Sequence, residues 1–309
     1  MNKNLINRTK EKLKEGGLED ITTKKYKRSW LYRAAVPLTK SSIVPLVVIE
    51  GHEDNKRKRF VAIEKSKAEK EFENLRWLKE NLGSDHILNF PQPKLLIEED
   101  DVLVAEYIPG KSVAELVVLS HFLLGPSAKD LSKAYEKLGL MISELHNSTY
   151  LGEKIAIGEN FNELLSSVEK YLMDDLMNDL YDLKPDSIEA PKVFAHRDLG
   201  MGNIRYDEGD VGIVDWPGSK FSQSFYELHR SKELHKKKNY YSFLPGFDLE
   251  DIWDNFFQSY KENVDFVFDD YDFYFSGIVY LLKKIKKRPE KINKRTYRDL
   301  LREYIKGIS

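Results

Sequence analysis

The chain has 309 residues, no cysteine and a nearly balanced charge, with 49 Lys and Arg residues against 51 Asp and Glu residues. This length exceeds that of one small domain and suits two lobes or one large α/β unit. The lack of cysteine excludes disulfides, thiolate metal sites and thiol catalysis. A net charge of −2 gives no reason to expect nucleic-acid binding, and 41% hydrophobic residues predict a folded core.

Two segments bear on the location of the protein. The N-terminal stretch "MNKNLINRTKEKLKEGG" is polar and lysine-rich and lacks the apolar centre of a signal peptide. The longest apolar stretch, "SVAELVVLSHFLLG", is too short to cross a bilayer and includes Glu115 and His121. We therefore expect a cytoplasmic protein without a membrane span, whose oligomeric state the sequence leaves open.

The first third of the chain is predicted to be rich in strands. Residues 1–28 are polar and are expected to form a peripheral extension. Strands follow within residues 29–65, where "HEDNKRK" predicts a polar hairpin connection. The segment "SKAEKEFENLRWLKENLG" predicts a helix with Ser66 as its N-cap and Gly83 at its end. Two further strands are expected around the acidic turn 98–101.

Beyond Pro109 the pattern becomes helical. Apolar residues recur at three- and four-residue spacing in "DLSKAYEKLGLMISELHNS" and in several segments after Trp216. The sequence therefore predicts an N-terminal lobe of residues 1–109 and a larger, mainly helical C-terminal lobe of residues 110–309.

The stretch "HRDLGMGNI", residues 196–204, concentrates polar side chains in a short loop. Asp198 and Asn203 are separated by "LGMG", whose glycines permit a tight loop, and the apolar run "VGIVD" places Asp215 at the end of a strand. Mg²⁺ accepts carboxylate and amide oxygens together with phosphates and water. Phosphoryl transfer needs that metal and a carboxylate that orients the attacking hydroxyl. These residue types therefore fit a phosphotransferase.

"HRDLGMGN" followed by "IVDW" resembles the catalytic and metal-binding motifs of the aminoglycoside phosphotransferase and choline kinase family, relatives of protein kinases. The resemblance implies an α+β, two-lobed, protein-kinase-like fold with a small antiparallel sheet in the N-terminal lobe. It also implies that Asp198 is the catalytic base, that Asn203 and Asp215 are Mg²⁺ ligands, and that His196 supports the loop.

Other motifs extend the resemblance to the nucleotide site. "AEYIPG" resembles the hinge that contacts adenine, which implies that backbone groups of Glu106, Tyr107 and Ile108 bind the purine. The absence of a glycine-rich loop leaves the turn "PLTKSS", residues 37–42, as the candidate cover of the phosphates. The implied nucleotide is ATP, with GTP left open.

"KEFENLRWL" resembles the helix whose glutamate pairs with a phosphate-binding lysine. Glu71 is the matching glutamate. Lys65 is the candidate lysine, and Lys67 is the alternative.

The acceptor is expected to be a hydroxyl group of a small molecule. The stretch after Asp215 runs quickly into a helix and contains no Ala-Pro-Glu, so a peptide-docking segment is not predicted. An atypical protein kinase and a nucleotide-binding regulatory protein with weak catalysis remain as alternatives. The stretch "DFVFDDYDFYF", residues 265–275, is either an acidic and aromatic pocket for a cationic acceptor or a helix cap with core-facing aromatics.

Overall fold

The computed structural model describes residues 3–25, 46–82, 86–120, 128–158, 160–183, 188–239, 249–291 and 294–308. The chain divides into two compact units. The first comprises Met1–Asp130 and Met201–Ser219, and the second comprises Leu131–Gly200 and Lys220–Ser309. The division falls inside the "HRDLGMGNI" loop, so the residues of this motif are shared between the units. A lobe boundary between residues 109 and 110 stays a prediction.

The first unit is built on a five-stranded antiparallel sheet with the order β1-β2-β3-β5-β4. Its strands are β1 (Glu19–Lys25), β2 (Leu46–Glu53), β3 (Lys56–Glu64), β4 (Pro93–Ile97) and β5 (Val102–Glu106). Strands β2 and β3 are joined by Asp54 and Asn55, both with left-handed backbone, as a two-residue type I′ turn requires. The connection is shorter than the predicted "HEDNKRK" because the other polar residues pair across the hairpin.

The N-terminal helix α1 (Lys3–Glu15) packs into the core of this unit. Its Leu5 and Leu13 belong to a buried cluster that also contains Val47 and Phe60 of the sheet. Strand β1 forms an edge of the same sheet. The structure thus differs from the expectation of a peripheral extension at residues 3–25. The composition was a poor guide here because one narrow apolar stripe of an otherwise polar helix is enough to bury that helix.

Helix α2 (Ala68–Asn81) follows β3 and begins one residue later than the predicted cap implies. Its N-cap is Lys67, which forms no side-chain cap, so the prediction of a Ser66 cap is wrong. The reason is the turn that leaves β3, in which the N–H of Ala68 donates to the carbonyl of Lys65 at 3.0 Å. The predicted terminator, Gly83, lies outside the described residues.

The rest of the first unit combines a short helix with a hairpin. These elements are β6 (Lys111–Ser112), α3 (Val113–Ser120), β9 (Ile204–Asp207) and β10 (Asp210–Ile213). Helix α3 starts with a capping box: Ser112 Oγ accepts from the N–H of Glu115 at 3.2 Å, and Glu115 Oε2 accepts from the N–H of Ser112 at 2.9 Å. Strand β6 pairs with β9 and so joins this helix to the hairpin.

The second unit is mainly helical and contains a three-stranded antiparallel sheet of β7 (Lys154–Ile157), β8 (Ile188–Ala195) and β11 (Lys220–Gln223). Its helices are α4 (Ala128–Thr149), which begins in the first unit, α5 (Phe161–Val168), α6 (Asp174–Tyr181), α7 (Ser224–Asn239), α8 (Leu249–Asn263), α9 (Asp270–Lys287) and α10 (Lys294–Ile308). The predicted α+β class, with a sheet-rich first part and helices after it, is confirmed. Within the described ranges, none of the helices is long and apolar enough to cross a membrane.

His229 of α7 is fully buried in the aromatic core of the second unit. Its ring stacks on Phe273 at 4.6 Å between centroids, Nε2 lies 2.6 Å from Ser276 Oγ, and Nδ1 lies 3.0 Å from Tyr304 OH. Burial, together with the charge of Lys232, holds the pKa of His229 well below its usual value of 6.5.

We expect the free energy of unfolding to fall as the pH is lowered below about 6.5. The unfolded chain then binds a proton at residue 229 that the folded chain does not bind, which costs up to about 1.4 kcal/mol per pH unit. Urea unfolding at two pH values on either side of this point measures the loss. The loss should be smaller in His229→Gln than in the wild type, whereas His52→Gln, which changes a half-exposed histidine, should leave it unchanged. An equal loss in all three proteins would contradict this account.

Candidate active site

Asn203 and Asp215 flank the open end of the β9–β10 hairpin in the first unit. Strand β9 begins directly after Asn203, and its first residue, Ile204, pairs with Ile213, the last residue of β10. The N–H of Val214 donates to the carbonyl of Asn203 at 2.9 Å, one residue before Asp215. The structure therefore brings the backbones of the two predicted metal ligands together, with the Asp215 side chain 47% exposed.

Lys65 contacts two carboxylates of the first unit. Its Nζ lies 2.9 Å from Asp215 Oδ1 and forms an ion pair with Glu71 Oε2. The Lys65 side chain is only 13% exposed. The alternative, Lys67, is exposed at the N-terminus of α2. Of the two candidate lysines, Lys65 is the one that the structure places beside the predicted glutamate.

Helix α2 also holds the backbone that follows Asp215. Glu71 Oε1 accepts from the N–H of Trp216 at 3.2 Å, and Asn74 Nδ2 donates to the carbonyl of Trp216 at 2.7 Å. The buried indole of Trp216 donates in turn to the carbonyl of Ile213 at 2.9 Å. One carboxylate, that of Glu71, thus serves both Lys65 and the peptide after Asp215. Nothing in the sequence distinguished Asn74 from the other polar residues of this helix.

Two residues of the motifs have a left-handed backbone, Arg197 with φ 66° and Asp215 with φ 72°. This conformation costs a non-glycine residue about 1–3 kcal/mol and persists where neighbouring contacts impose it, commonly at functional sites. Gly200 and Gly202 have no such backbone. The sharp bend of the "HRDLGMGNI" loop therefore falls on Arg197, and not on the glycines that the sequence pointed to.

In the second unit, Glu227 of α7 fixes the backbone of this loop. Glu227 is fully buried, and its two oxygens accept from the N–H groups of His196 and Arg197, each at 3.2 Å. His146 Nε2 lies 3.2 Å from the same carboxylate. Two successive N–H groups directed at one carboxylate account for the left-handed backbone at Arg197. The sequence analysis missed Glu227, since a single acid in a helix resembles any surface acid until its burial is known.

His196 supports the same loop, as the resemblance implies. It is fully buried, and its Nδ1 accepts from the N–H of Asp198 at 3.3 Å. The Asp198 carboxylate is 51% exposed, and its Oδ1 lies 3.3 Å from Arg230 Nη2 of α7. The backbone of the predicted base is therefore held in place, and its carboxylate remains accessible to solvent.

Two of the three predicted hinge residues use their backbone N–H groups in hydrogen bonds within the protein. The N–H of Glu106 donates to the carbonyl of Gln92 at 2.8 Å, and the N–H of Tyr107 donates to the carbonyl of Arg59 at 3.0 Å. Within the described part of the chain, the N–H of Ile108 has no hydrogen-bond partner. Ile108 is therefore the hinge residue with a donor available for a ligand.

The chain leaves this hinge by a close approach to the β9–β10 hairpin. Gly110 has a φ of 90°, and a Cβ at this position would lie 2.2 Å from the carbonyl oxygen of Tyr206. Only glycine fits there. The hinge and the hairpin that carries Asn203 and Asp215 are thus packed backbone against backbone in the first unit.

Two other predicted features have different outcomes. The turn "PLTKSS" lies outside the described residues. In the stretch 265–275, Asp269 Oδ1 accepts from the N–H of Asp272 at 3.0 Å as the N-cap of α9. The partly buried ring of Phe268 packs on the buried ring of Phe273, with 5.5 Å between the ring centroids. Of the two alternatives for this stretch, the structure supports the helix cap.

The donor atoms fit magnesium bound together with a nucleotide. In the described ranges, no group of three or more His, Cys, Asp or Glu side chains is arranged to hold a metal ion. A magnesium nucleotide does not require such a group, because Mg²⁺ usually takes one or two protein carboxylates and completes its shell with phosphates and water. Asp215 provides one carboxylate, and this carboxylate already binds a cation, the Lys65 ammonium. Asn203 provides an amide oxygen.

Comparisons with known proteins identify a family. The family model described as "Phosphotransferase enzyme family" matches residues 53–228, more than half of the chain. No curated protein matches the sequence. One similar solved structure is amicoumacin kinase hAmiN in complex with AMP-PNP, Ca²⁺ and Ami, with 15% identity, coverage of 100% of this chain and 96% of that chain, and a TM-score of 0.46. A second is aminoglycoside phosphotransferase APH(4)-Ia, with 9% identity, coverage of 98% of this chain and 99% of that chain, and a TM-score of 0.49. A third is Plasmodium vivax ethanolamine kinase, with 12% identity, coverage of 93% of this chain and 80% of that chain, and a TM-score of 0.45. These scores are low, and the assignment rests on the family model.

Proposed function

Because the chain belongs to the phosphotransferase enzyme family and is therefore a kinase, we propose that it transfers a phosphoryl group from ATP, with Mg²⁺, to a hydroxyl group of a small molecule. The observation that carries this proposal is the contact of Lys65 with both Glu71 and Asp215. Asp215 lies at the same end of the β9–β10 hairpin as Asn203. Phosphoryl transfer is catalysed mainly by positioning and by neutralising phosphate charge, which this cation and these oxygen donors are suited to do.

The nucleotide is assigned to residues of the first unit. The Lys65 ammonium neutralises phosphate charge, and Glu71 keeps that ammonium in place. Asp215 and Asn203 hold Mg²⁺, which when bound offsets the charge of the phosphates. The N–H of Ile108 donates to the purine. A single backbone N–H can donate a hydrogen bond to either purine, so this contact does not distinguish ATP from GTP. Measurement must decide between the two nucleotides.

Asp198 is assigned the role of the base. Its carboxylate is half-exposed, and the loop that carries it is fixed by Glu227 and His196. The carboxylate orients the acceptor hydroxyl and takes its proton while the oxygen forms a bond to the γ-phosphorus and the bond to the ADP oxygen breaks. The products are the phosphorylated acceptor and ADP.

The acceptor is proposed to be a small molecule because the chain after Asp215 leaves little room for a peptide-binding segment. It passes through β11 and enters helix α7 at Ser224. The proposed location is the cytoplasm, where ATP is available as the donor.

A transfer assay tests the function. The full chain is incubated with Mg²⁺, γ-labelled ATP and a panel of hydroxyl-bearing metabolites, with a mixture of polypeptides in a parallel reaction. We expect label on a small molecule. Label on polypeptides alone would select the atypical protein kinase, and thermal stabilisation by Mg²⁺ and ATP without any transfer would select the regulatory protein.

Lys65→Ala is expected to weaken the affinity for magnesium ATP about 10- to 100-fold. A hydrogen bond to a charged group contributes roughly 1.5–3 kcal/mol, which corresponds to this range. Lys67→Ala, two residues away on the exposed turn, is the matched control and should bind like the wild type. Isothermal titration calorimetry measures both. If the two variants bind magnesium ATP with equal affinity, Lys65 does not contact the nucleotide.

A further inference from the structure

Arg230 of α7 connects Asp198 to a second carboxylate in the second unit. Its Nη2 lies 3.3 Å from Asp198 Oδ1, and its Nη1 lies 3.4 Å from Glu233 Oε2. The Arg230 side chain is 26% exposed, whereas the Glu233 side chain is fully buried. A planar guanidinium that reaches two carboxylates through different nitrogens is constrained at both ends, which a lysine ammonium cannot reproduce.

Glu233 is itself held by two other helices. Its carboxylate accepts from Tyr280 OH at 2.5 Å and from Tyr297 OH at 2.7 Å, and it forms an ion pair with Lys284. Tyr280 and Lys284 belong to α9, and Tyr297 belongs to α10. A buried carboxylate with this many partners has one available position, so it is a rigid support for the guanidinium.

Arg230 is a cation between two carboxylates. These are Asp198 and Glu233, and Lys284 is a second cation that pairs with Glu233. Burial lowers the pKa of the Arg230 guanidinium, but Tyr280, Glu233 and Asp198 raise it to a net value above the ordinary one. Arg230 therefore stays charged between the two carboxylates.

We propose that Arg230, supported by Glu233, is a positioning residue that holds the carboxylate of Asp198 in one orientation toward the acceptor hydroxyl. The backbone contacts of the loop fix where residue 198 lies, but they do not by themselves set the orientation of its carboxylate. The Arg230 contact restricts that rotation. This inference rests on the proposed role of Asp198 as the base.

Rates of variants test the proposal, with ATP and water as the donor and acceptor so that no identified metabolite is needed. Arg230→Gln should lower kcat about 10- to 100-fold, the range expected when a reacting group is displaced by about 1 Å, and should change the KM for ATP less than about twofold. Arg230→Lys should recover part of kcat. The control Arg302→Gln, which breaks an exposed 2.7 Å pair with Asp175 in the same unit, should match the wild type. A raised KM with unchanged kcat in Arg230→Gln would overturn the proposal.

The support by Glu233 has its own test. Glu233→Gln should lower kcat in the wild-type background and should have no further effect in the Arg230→Gln background, because it acts through Arg230. Equal losses in the two backgrounds would show an independent role and reject the support. If Glu233→Gln does not fold, Tyr297→Phe, which removes one hydrogen bond to Glu233, is compared in the same two backgrounds with the same expected outcome.

A measurement without turnover separates this inference from the proposed function. Asp198→Asn, Arg230→Gln and the double variant are unfolded in urea. We expect the double variant to be more stable than the sum of the single losses predicts, because the two side chains interact. If the losses in the free energy of unfolding are additive, Asp198 and Arg230 do not interact and the proposal is rejected. Coupling in a protein that transfers no phosphoryl group in the assay with the metabolite panel would reject the proposed function while the contact between the two side chains stands.

Discussion

Asp198→Asn is expected to lower kcat by about 10²- to 10⁴-fold while the affinity for magnesium ATP stays within about twofold of the wild type. The range is the usual contribution of a positioned general base. The asparagine side chain keeps the size of the carboxylate but cannot take the proton of the acceptor. Nucleotide binding is assigned to other residues, Lys65, Asp215 and Ile108, and should therefore survive the change.

The measurement combines turnover of ATP, with the acceptor identified in the transfer assay or with water, and calorimetry of ATP binding. Asp179→Asn is the control, since Asp179 is an exposed acid of helix α6 in the same unit. Wild-type turnover in Asp198→Asn would reject the assignment of the base. A parallel loss of nucleotide binding would instead indicate that the loop had been disrupted.

Asp215→Asn has the second large expected effect, a loss of the dependence of ATP binding on Mg²⁺. Removing the only carboxylate assigned to the metal should weaken binding in the presence of Mg²⁺ by about 100-fold or more, because charge neutralisation by a metal contributes several kcal/mol. Without Mg²⁺, the variant should bind ATP at least as well as the wild type, since Lys65 loses a competing anion at 2.9 Å.

Calorimetry with and without Mg²⁺ separates these two effects. Asp210→Asn changes an exposed acid at the other end of the same hairpin and should retain the wild-type dependence on Mg²⁺. If Asp215→Asn and the wild type respond equally to Mg²⁺, Asp215 is not a metal ligand and the proposed nucleotide site is wrong.

Features encoded by neighbours in the sequence were predictable. Helix α2 was visible from its apolar spacing, and the family resemblance of "KEFENLRWL" pointed to Glu71 as the partner of a nearby lysine, with Lys65 as the candidate and Lys67 as the alternative. The β9–β10 hairpin turns at Glu208 and Gly209, both with positive φ, and this local turn is what brings Asn203 and Asp215 to one end. In each case the spacing along the chain already contains most of the geometry.

Features that depend on tertiary burial were not predictable. Glu227 and Arg230 occupy one helix whose sequence mixes charges and aromatic rings, and nothing local shows which of its acids is buried beneath a loop. The same applies to Leu5 and Leu13, whose helix appears polar on average and yet covers a sheet. These roles are determined by partners 30 or more residues away, so a single sequence without contact information cannot assign them.

The contact between Lys65 and Asp215 has a consequence for ligand selection if both residues have the proposed roles. The Lys65 ammonium lies 2.9 Å from the Asp215 carboxylate and also pairs with Glu71. A lone phosphate would have to displace the Asp215 carboxylate from the ammonium, and a lone divalent ion would have to displace the ammonium from that carboxylate. A metal–polyphosphate complex would replace both partners in a single event, so the pair would favour such a complex over simple ions.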